Sequence, residues 1–317
     1  MQLSHFPKQK LTASIFLILA STASGQNYPA KPIRIVGAEA GGSGDFAARL
    51  IAPELAASLG QQVIVDNRSL AGELVSKAPP DGYTLLLAGG TVILGPLLRK
   101  VPYDLERDFL PITLAVSLPN ILVVHPSLPV KSVKELIALA KNSPGDLNYS
   151  TTAPGASSHL GAELFKAMAG VDIVQIRYRG NGQALAALLG GQVHLTFAVA
   201  AAVTSHVKSG RLRALAITSA QPTNLFPGLS TVAASGLPGY EVTSIIGIWA
   251  PAKTPEAIVS RLNQELVRVL KRPDVREKFL NAGVETIGNT PEEFAAKLKT
   301  DMAKYGKLIR DAGIRAE

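Results

Sequence analysis

Ile33-Arg34-Ile35-Val36-Gly37-Ala38-Glu39-Ala40-Gly41-Gly42-Ser43-Gly44-Asp45-Phe46 is the stretch that decides the fold. A short β-rich run, Ile33 to Val36, enters a Gly-rich turn, and a helical stretch from Phe46 to Leu59 leaves it and stops at Gly60. A strand that feeds a helix through a Gly turn is half of a β-α-β unit, in which helices cover a mostly parallel sheet. The turn also has chemical potential. The first N–H groups of a helix lack intrahelical partners, and the helix dipole is positive at that end. Gly41, Gly42, Ser43 and Asp45 therefore form a candidate anion site. The plain alternative is a tight turn capped by Ser43 or Asp45.

The same alternation continues outward. Strands are expected at Val63–Val65, Tyr83–Leu87 after the Pro79-Pro80-Asp81-Gly82 turn, Ile121–Val124, Leu147–Ser150, Val174–Tyr178, His194–Phe197 and Leu212–Ile217. Helices are expected from a Ser132/Glu135 capping box to Asn142, over Ser158–Met168, and over Gln183–Leu189. Thr254-Pro255-Glu256 and Thr290-Pro291-Glu292-Glu293 read as helix starts, with Thr as cap and Pro in the first turn. Apolar residues at helical spacing follow both, in Ile258–Leu270 and Phe294–Ile309. No linker separates two halves, so the chain is expected to cross between domains more than once. The expected division is 26–124 plus 238–317 as one lobe and 125–237 as an inserted second lobe.

Two further loops have the strand-loop-helix character. Thr151 to Ser158 contains Gly155, Ala156 and Ser157; Tyr178-Arg179-Gly180 precedes another helix. Loops at the carboxyl ends of parallel strands are where open α/β sheets bind ligands. Arg179 has planar donors suited to an anion. On spacing alone, Arg177 and Arg179 read equally well as solvated surface charge.

Composition narrows the function classes. Lys8 and Lys10, the apolar run Leu11–Ala20 and the small residues Ser21 to Gly25 read as an export signal over 1–25, with cleavage after Ala23 or, preferably, Gly25. The absence of Cys rules out a lipid-anchored version and disulfides. About 290 residues remain, enough for two domains. Hydrophobic content is 47 % but aromatic content only 5 %, as expected of small aliphatic side chains between helices and sheet. The net charge of +8 is scattered, without basic runs or interleaved aromatics, so nucleic acid is not an expected partner. Gly42, Gly44 and Ala47 match G-x-G-x-x-A with Asp66 about 20 residues on. That dinucleotide reading is weakened because Gly42 stands six positions after Val36 and because the chain is expected to be exported. There is no G-x-S-x-G, H-E-x-x-H or Walker A motif, and the four histidines beyond the signal lack metal-ligand spacing. No cofactor, metal or catalytic residue is assigned. Ser157 with His159 reads as a cap and a packed ring. A dispersed Ser/His hydrolase and a ligand-sensing receptor remain as alternatives.

From Tyr28-Pro29-Ala30-Lys31-Pro32-Ile33-Arg34 to Asp311-Ala312-Gly313-Ile314 the chain resembles the Bug (TctC-like) substrate-binding proteins of tripartite tricarboxylate transporters. Val65-Asp66-Asn67-Arg68, Ala78 to Leu85, Ser158-His159-Leu160, Tyr178-Arg179-Gly180, Gly190 to Val193 and Ser235 to Tyr240 carry the likeness in order. The resemblance implies an α/β, two-domain periplasmic-binding-protein-like clamp with a ligand cleft between lobes. It implies a small carboxylate ligand, membrane permease subunits as partners, and a periplasmic protein; a monomer is expected. It maps ligand contacts onto Gly41, Gly42, Ser43 and Asp45, onto Gly155, Ala156 and Ser157, and onto Tyr178, Arg179 and Gly180; Thr91 is expected to reach the ligand from the first lobe. The chain departs from the family in Glu39 and Ala40 before the Gly pair, a short segment after Arg68, Ala156 in place of a hydroxyl residue, and His194, Ala198 and Ile245 in place of acidic or aromatic residues. Loss of an acid near the cleft points to a ligand without an amine.

Overall fold

A computed structural model describes residues 28–37, 43–68, 70–152 and 154–314. The expected export signal and the candidate residues Gly41 and Gly42 lie outside them. The chain begins with β1 (Ile33–Gly37), α1 (Ser43–Leu59), β2 (Val63–Asn67), α2 (Ala71–Ser76) and β3 (Thr84–Ala88). The one-turn helices α3 (Gly90–Ile93), α4 (Gly95–Leu98) and α5 (Leu105–Asp108) lead into β4 (Phe109–Val124). Then come α6 (Val133–Asn142), β5 (Asn148–Thr151), α7 (Ser157–Ala169), β6 (Val174–Arg177), α8 (Asn181–Leu189), β7 (Leu195–Val199), α9 (Ala200–Lys208) and β8 (Arg213–Ile217). The chain returns through β9 (Thr243–Pro251), α10 (Glu256–Lys271), α11 (Pro273–Asn281), β10 (Glu285–Thr286) and α12 (Pro291–Asp311).

The fold is α/β, with the strands in the order β2-β1-β3-β9-β4-β7-β5-β6, and with β8 and β10 also paired to β4. β1 pairs parallel with β2 and β3, and β5 pairs parallel with β6 and β7. These are the β-α-β units expected from the alternation. β4 is the element shared by two halves of the sheet. Phe109 to Pro119 pair antiparallel with β9, and Asn120 to Val124 pair antiparallel with β7 and β8. The sequence reading found only the second part of this strand. Pro111 and Pro119 punctuate the first part, and its side chains are mostly buried, so no polar alternation marks it. β9 and α9 were missed for a similar reason, since both lie in nearly unbroken apolar runs.

Each half is covered on two faces. α1, α10 and α11 pack on one face of the first half, around Ile35, Ile51, Leu55, Leu262 and Phe279. The opposite face shares one apolar cluster with the second half, from Leu86 and Trp249 through Leu94, Tyr240 and Leu160 to Tyr149, Phe165 and Phe197. α8 and α9 close the outer face of the second half around Leu188 and Val203. α12 seats its first turn on β9: the Phe294 and Trp249 ring centroids are 4.9 Å apart. Only glycine fits beneath that ring, because a Cβ at Gly247 would lie 2.2 Å from Phe294 Cζ.

The chain passes between the halves twice, at Pro119–Asn120 and at Val242–Thr243. Thr218, fully buried one residue past β8, joins both passages. Its N–H donates to Asn120 O at 2.9 Å, and its Oγ1 accepts from Asn120 N at 3.0 Å. On the other side Val242 N donates to Thr218 O at 2.9 Å, and Thr218 Oγ1 donates to Val242 O at 2.5 Å. α12 braces the second passage. Lys297 Nζ lies 3.0 Å from Glu241 and 2.9 Å from Asp301, and Lys304 Nζ donates to Glu241 O at 2.9 Å. Burial raises the Glu241 carboxyl, but Lys297 and Lys304 outweigh it and hold the group below the usual glutamate range.

Thr218→Val removes the hydroxyl at nearly constant volume and leaves a buried N–H and a buried carbonyl without it. Urea unfolding of Thr218→Val is expected to show a loss of about 2–3 kcal/mol at unchanged m, with Thr218→Ser retaining most of the stability. A loss within experimental error would remove Thr218 from this role.

Candidate functional site

The carboxyl ends of β5, β6 and β7, the residues just after β3 and the start of α1 open onto one cavity of about 710 Å³ between the two halves. That volume suits a small organic ligand. Ser43, Thr91, Leu98, Arg99 and Ser244 line it from the first half; Thr152, Gly155 to Ser158, Arg177, Asn181, Thr196 and Ala198 are among the residues that line it from the second.

Helix starts shape its walls. Ser43 is the first residue of α1, Ser157 and Ser158 open α7, Asn181 opens α8, and Val199 precedes α9. None of α7, α8 and α9 has a side-chain cap: Ala156, Gly180 and Val199 stand at those positions. α6 and α12, away from the cleft, are capped by Ser132 and by the Thr290/Glu293 capping box. α10 and α11 are also uncapped, so a missing cap alone does not define the site. The cleft differs in its charge. Arg99 and Arg177 are the only ionisable groups among its described lining residues, and no carboxylate is among them. Such a wall favours an anion through the helix dipoles and the two guanidinium groups.

Hydroxyl groups make the floor. Asn120 Nδ2 donates to Ser157 Oγ at 3.0 Å and to Phe197 O at 2.8 Å. Thr151 Oγ1 and Ser158 Oγ are 3.0 Å apart, and Thr196 Oγ1 donates to Ser150 O at 2.8 Å. Ser157 is therefore not the helix cap that the sequence suggested; it is the first helical residue, and its hydroxyl faces Asn120. His159 is the packed ring expected of it. It is buried, and its Nδ1 accepts from Gly155 N at 3.3 Å. No hydrogen bond joins a cleft serine to a histidine among the described residues, so a Ser-His nucleophile pair is not assembled there.

Gly155 brings the halves into contact. Its φ is +76°, a conformation that favours glycine, and a Cβ there would lie 2.3 Å from Leu98 Cδ1 of α4. The loop before α7 thus meets the first half across the cleft.

The expected residues sort as follows. Ser43, Thr91, Gly155, Ala156 and Ser157 come together around the cavity. Asp45 faces an adjoining cavity of about 520 Å³, which also contains Glu73 and Lys100, and Asp45 pairs with Arg49 at 2.9 Å. Tyr178, Arg179 and Gly180 line neither cavity, whereas Arg177 and Asn181 on either side of them line the cleft. Of the departures in place of acidic or aromatic residues, Ala198 stands in the cleft wall and Ile245 in the adjoining cavity; His194 is held at the far end of β7 by Asn148. Arg99, Asn120, Thr196 and Ser244 were not singled out. Asn120 left a trace, a lone amide ahead of the apolar run Ile121–Val124, whereas the Leu97-Leu98-Arg99-Lys100 stretch has nothing to distinguish Arg99.

Comparison with known proteins agrees with this geometry. A family model described as the tripartite tricarboxylate transporter family receptor, TctC, matches residues 47–314. BugT of Bordetella pertussis is 34% identical over 306 residues, covering 94% of each chain. The solved structure of Rpa4515 from R. palustris with adipate is 35% identical, with a TM-score of 0.76, and covers 91% of this chain and 99% of that one. MatC from Rhodopseudomonas palustris, solved with bound malate, is 27% identical with a TM-score of 0.71, and covers 89% of this chain and 100% of that one.

Burial holds His159 below the ordinary histidine value; Glu163 opposes this, and Lys166 and Arg177 add to it. A folded state that binds the proton less readily than the unfolded chain loses stability as pH falls below about 6.5, the unfolded histidine value, until the folded group titrates. Unfolding at pH 7.5 and 5.5 is expected to show an acid-side loss that shrinks in His159→Gln. An unchanged difference in that variant would assign the loss elsewhere.

Proposed function

Because the chain belongs to the family of tripartite tricarboxylate transporter receptors, we propose that it is an extracytoplasmic solute-binding protein that captures a small carboxylate and delivers it to permease subunits of a transporter of that type. In this reading residues 1–25 direct export to the periplasm and are removed. The segments 26–124 plus 238–317 and 125–237 act as two lobes. A ligand that touches both lobes stabilises the closed arrangement by its differential affinity for it.

The observation that carries the proposal is the charge of the cleft: uncapped starts of α7, α8 and α9, with Arg99 on one wall and Arg177 on the other, and no carboxylate among the described lining residues. Ser43, Thr91, Ser157 and Ser158 supply short donors, and Leu98, Leu185 and Phe197 supply an apolar surface for a carbon skeleton. Adipate and malate, the ligands named with the similar structures, are carboxylates without an amine. An ammonium group would enter the cleft without an acidic partner, and burying an unpaired charge is costly. The ligand is therefore an aliphatic or aromatic carboxylate rather than an amino acid. The chain is not assigned an enzymatic activity.

A thermal-shift panel of adipate, malate, benzoate and glutamate tests the reading. At about a hundredfold excess over Kd, binding adds about 2.7 kcal/mol, so a plain carboxylate is expected to raise Tm by several degrees. Arg99→Ala is expected to weaken that ligand at least about tenfold, as loss of a charged hydrogen bond does. A shift with glutamate and with none of the plain carboxylates would contradict the proposal.

A further inference from the structure

We infer that Asn120 is the positioning residue that makes the Ser157 hydroxyl a donor toward an anion in the cleft. The inference rests on the carboxylate reading above and adds a residue that itself lines no part of the cavity.

The chemistry of the partners fixes the direction of each bond. A carbonyl oxygen only accepts, so the atom of Asn120 that lies 2.8 Å from Phe197 O is the amide nitrogen. The same nitrogen lies 3.0 Å from Ser157 Oγ, so the serine accepts there. The single proton of Ser157 is then directed elsewhere. Ser157, in the first turn of α7, lines the cleft and also a small cavity of about 40 Å³ that shares Gly155 and Ser244 with it and has Asp301 in its lining. Its hydroxyl therefore offers a hydrogen next to the free N–H groups of that turn, and an anion would receive all of them together. Ser158 differs, because either oxygen of its contact with Thr151 serves as donor.

Two observations indicate that Asn120 is held in this pose for what its nitrogen does. Its side chain is fully buried, and its Oδ1 has no hydrogen-bond partner among the described residues. A buried amide oxygen without a donor is costly, whereas an apolar residue of similar shape would carry no such cost. Turning the amide over would face Oδ1 with Phe197 O and also give up the donor to Ser157. The backbone at the same residue is fixed by Thr218, which bonds both Asn120 N and Asn120 O. The group that aims Ser157 is thus anchored at the passage between the two halves of the sheet.

A double-mutant cycle on the full mature protein, read by calorimetry with adipate and with malate, tests this. If Asn120 acts through Ser157, Asn120→Ala weakens binding about fivefold to tenfold in the wild-type background and less than about twofold in Ser157→Ala. A residue that merely stabilises the fold would give the same factor in both backgrounds, and that result would overturn the inference. Asn120→Thr, whose hydroxyl keeps one donor for Phe197 O and suits a strand, is the second variant should Asn120→Ala not fold; the same non-additivity is expected of it. Failure of the wild type to bind either probe or any carboxylate of the panel would overturn the carboxylate reading and this inference with it. Binding with an additive cycle would overturn the inference alone.

Discussion

Thr218 sits where both chain passages between the halves of the sheet run side by side. Its backbone and its one hydroxyl hydrogen-bond to both Asn120 and Val242, with the hydroxyl proton within reach of either carbonyl. In a buried setting each of these groups needs a partner, and Thr218 supplies them to both strands at once. This register sets where β4 ends its pairing with β9 and begins its pairing with β7 and β8. It also fixes the backbone of Asn120, whose amide nitrogen donates to the oxygen of Phe197 and to the Ser157 hydroxyl at the start of α7. On the outer side Glu241 with Lys297 and Lys304 ties α12 to the second passage, so the C-terminal helix braces the same place.

The cleft owes its chemistry to the direction in which parallel strands deliver helices. β-α-β units on both halves bring the positive ends of α1, α7, α8 and α9 to the carboxyl edge of the sheet. Arg99 and Arg177 reinforce that sign from opposite walls, and Asp45 and Glu73 belong to the adjoining cavity. Short hydroxyls on the floor and apolar side chains around them leave room for a carbon skeleton between polar ends. The Gly155–Leu98 contact brings the halves together over this space.

Much of the architecture was legible in the sequence because strand and helix periodicities alternate with clear turn residues. The Ser132, Thr290 and Gly170 signals fall at ends of helices. The long strand β4 was half hidden, since a strand packed on both faces lacks polar alternation and Pro119 marks the crossing rather than an end. The loop before α7 was correctly singled out as a helix start, but the role of Ser157 was not, because a cap and a first helical residue have the same sequence signature. Arg179 is marked in sequence by its place in a Gly loop, whereas β6 ends at Arg177 and carries that residue to the cleft edge. Asn120 meets Ser157 from 37 residues away and Arg99 faces the second half across the cleft, and local spacing has no means of showing either.

The central claim is that one anionic ligand is held by both halves, against the start of α7 and the Arg99 guanidinium. A crystal structure with the carboxylate that raises Tm most tests it directly. The account predicts a carboxylate group within hydrogen-bond distance of Ser157 Oγ and the first N–H groups of α7, with Arg99 reaching the same ligand from the other wall. A ligand seated in the adjoining cavity beside Asp45 and Glu73, or touching one half of the molecule only, would contradict it.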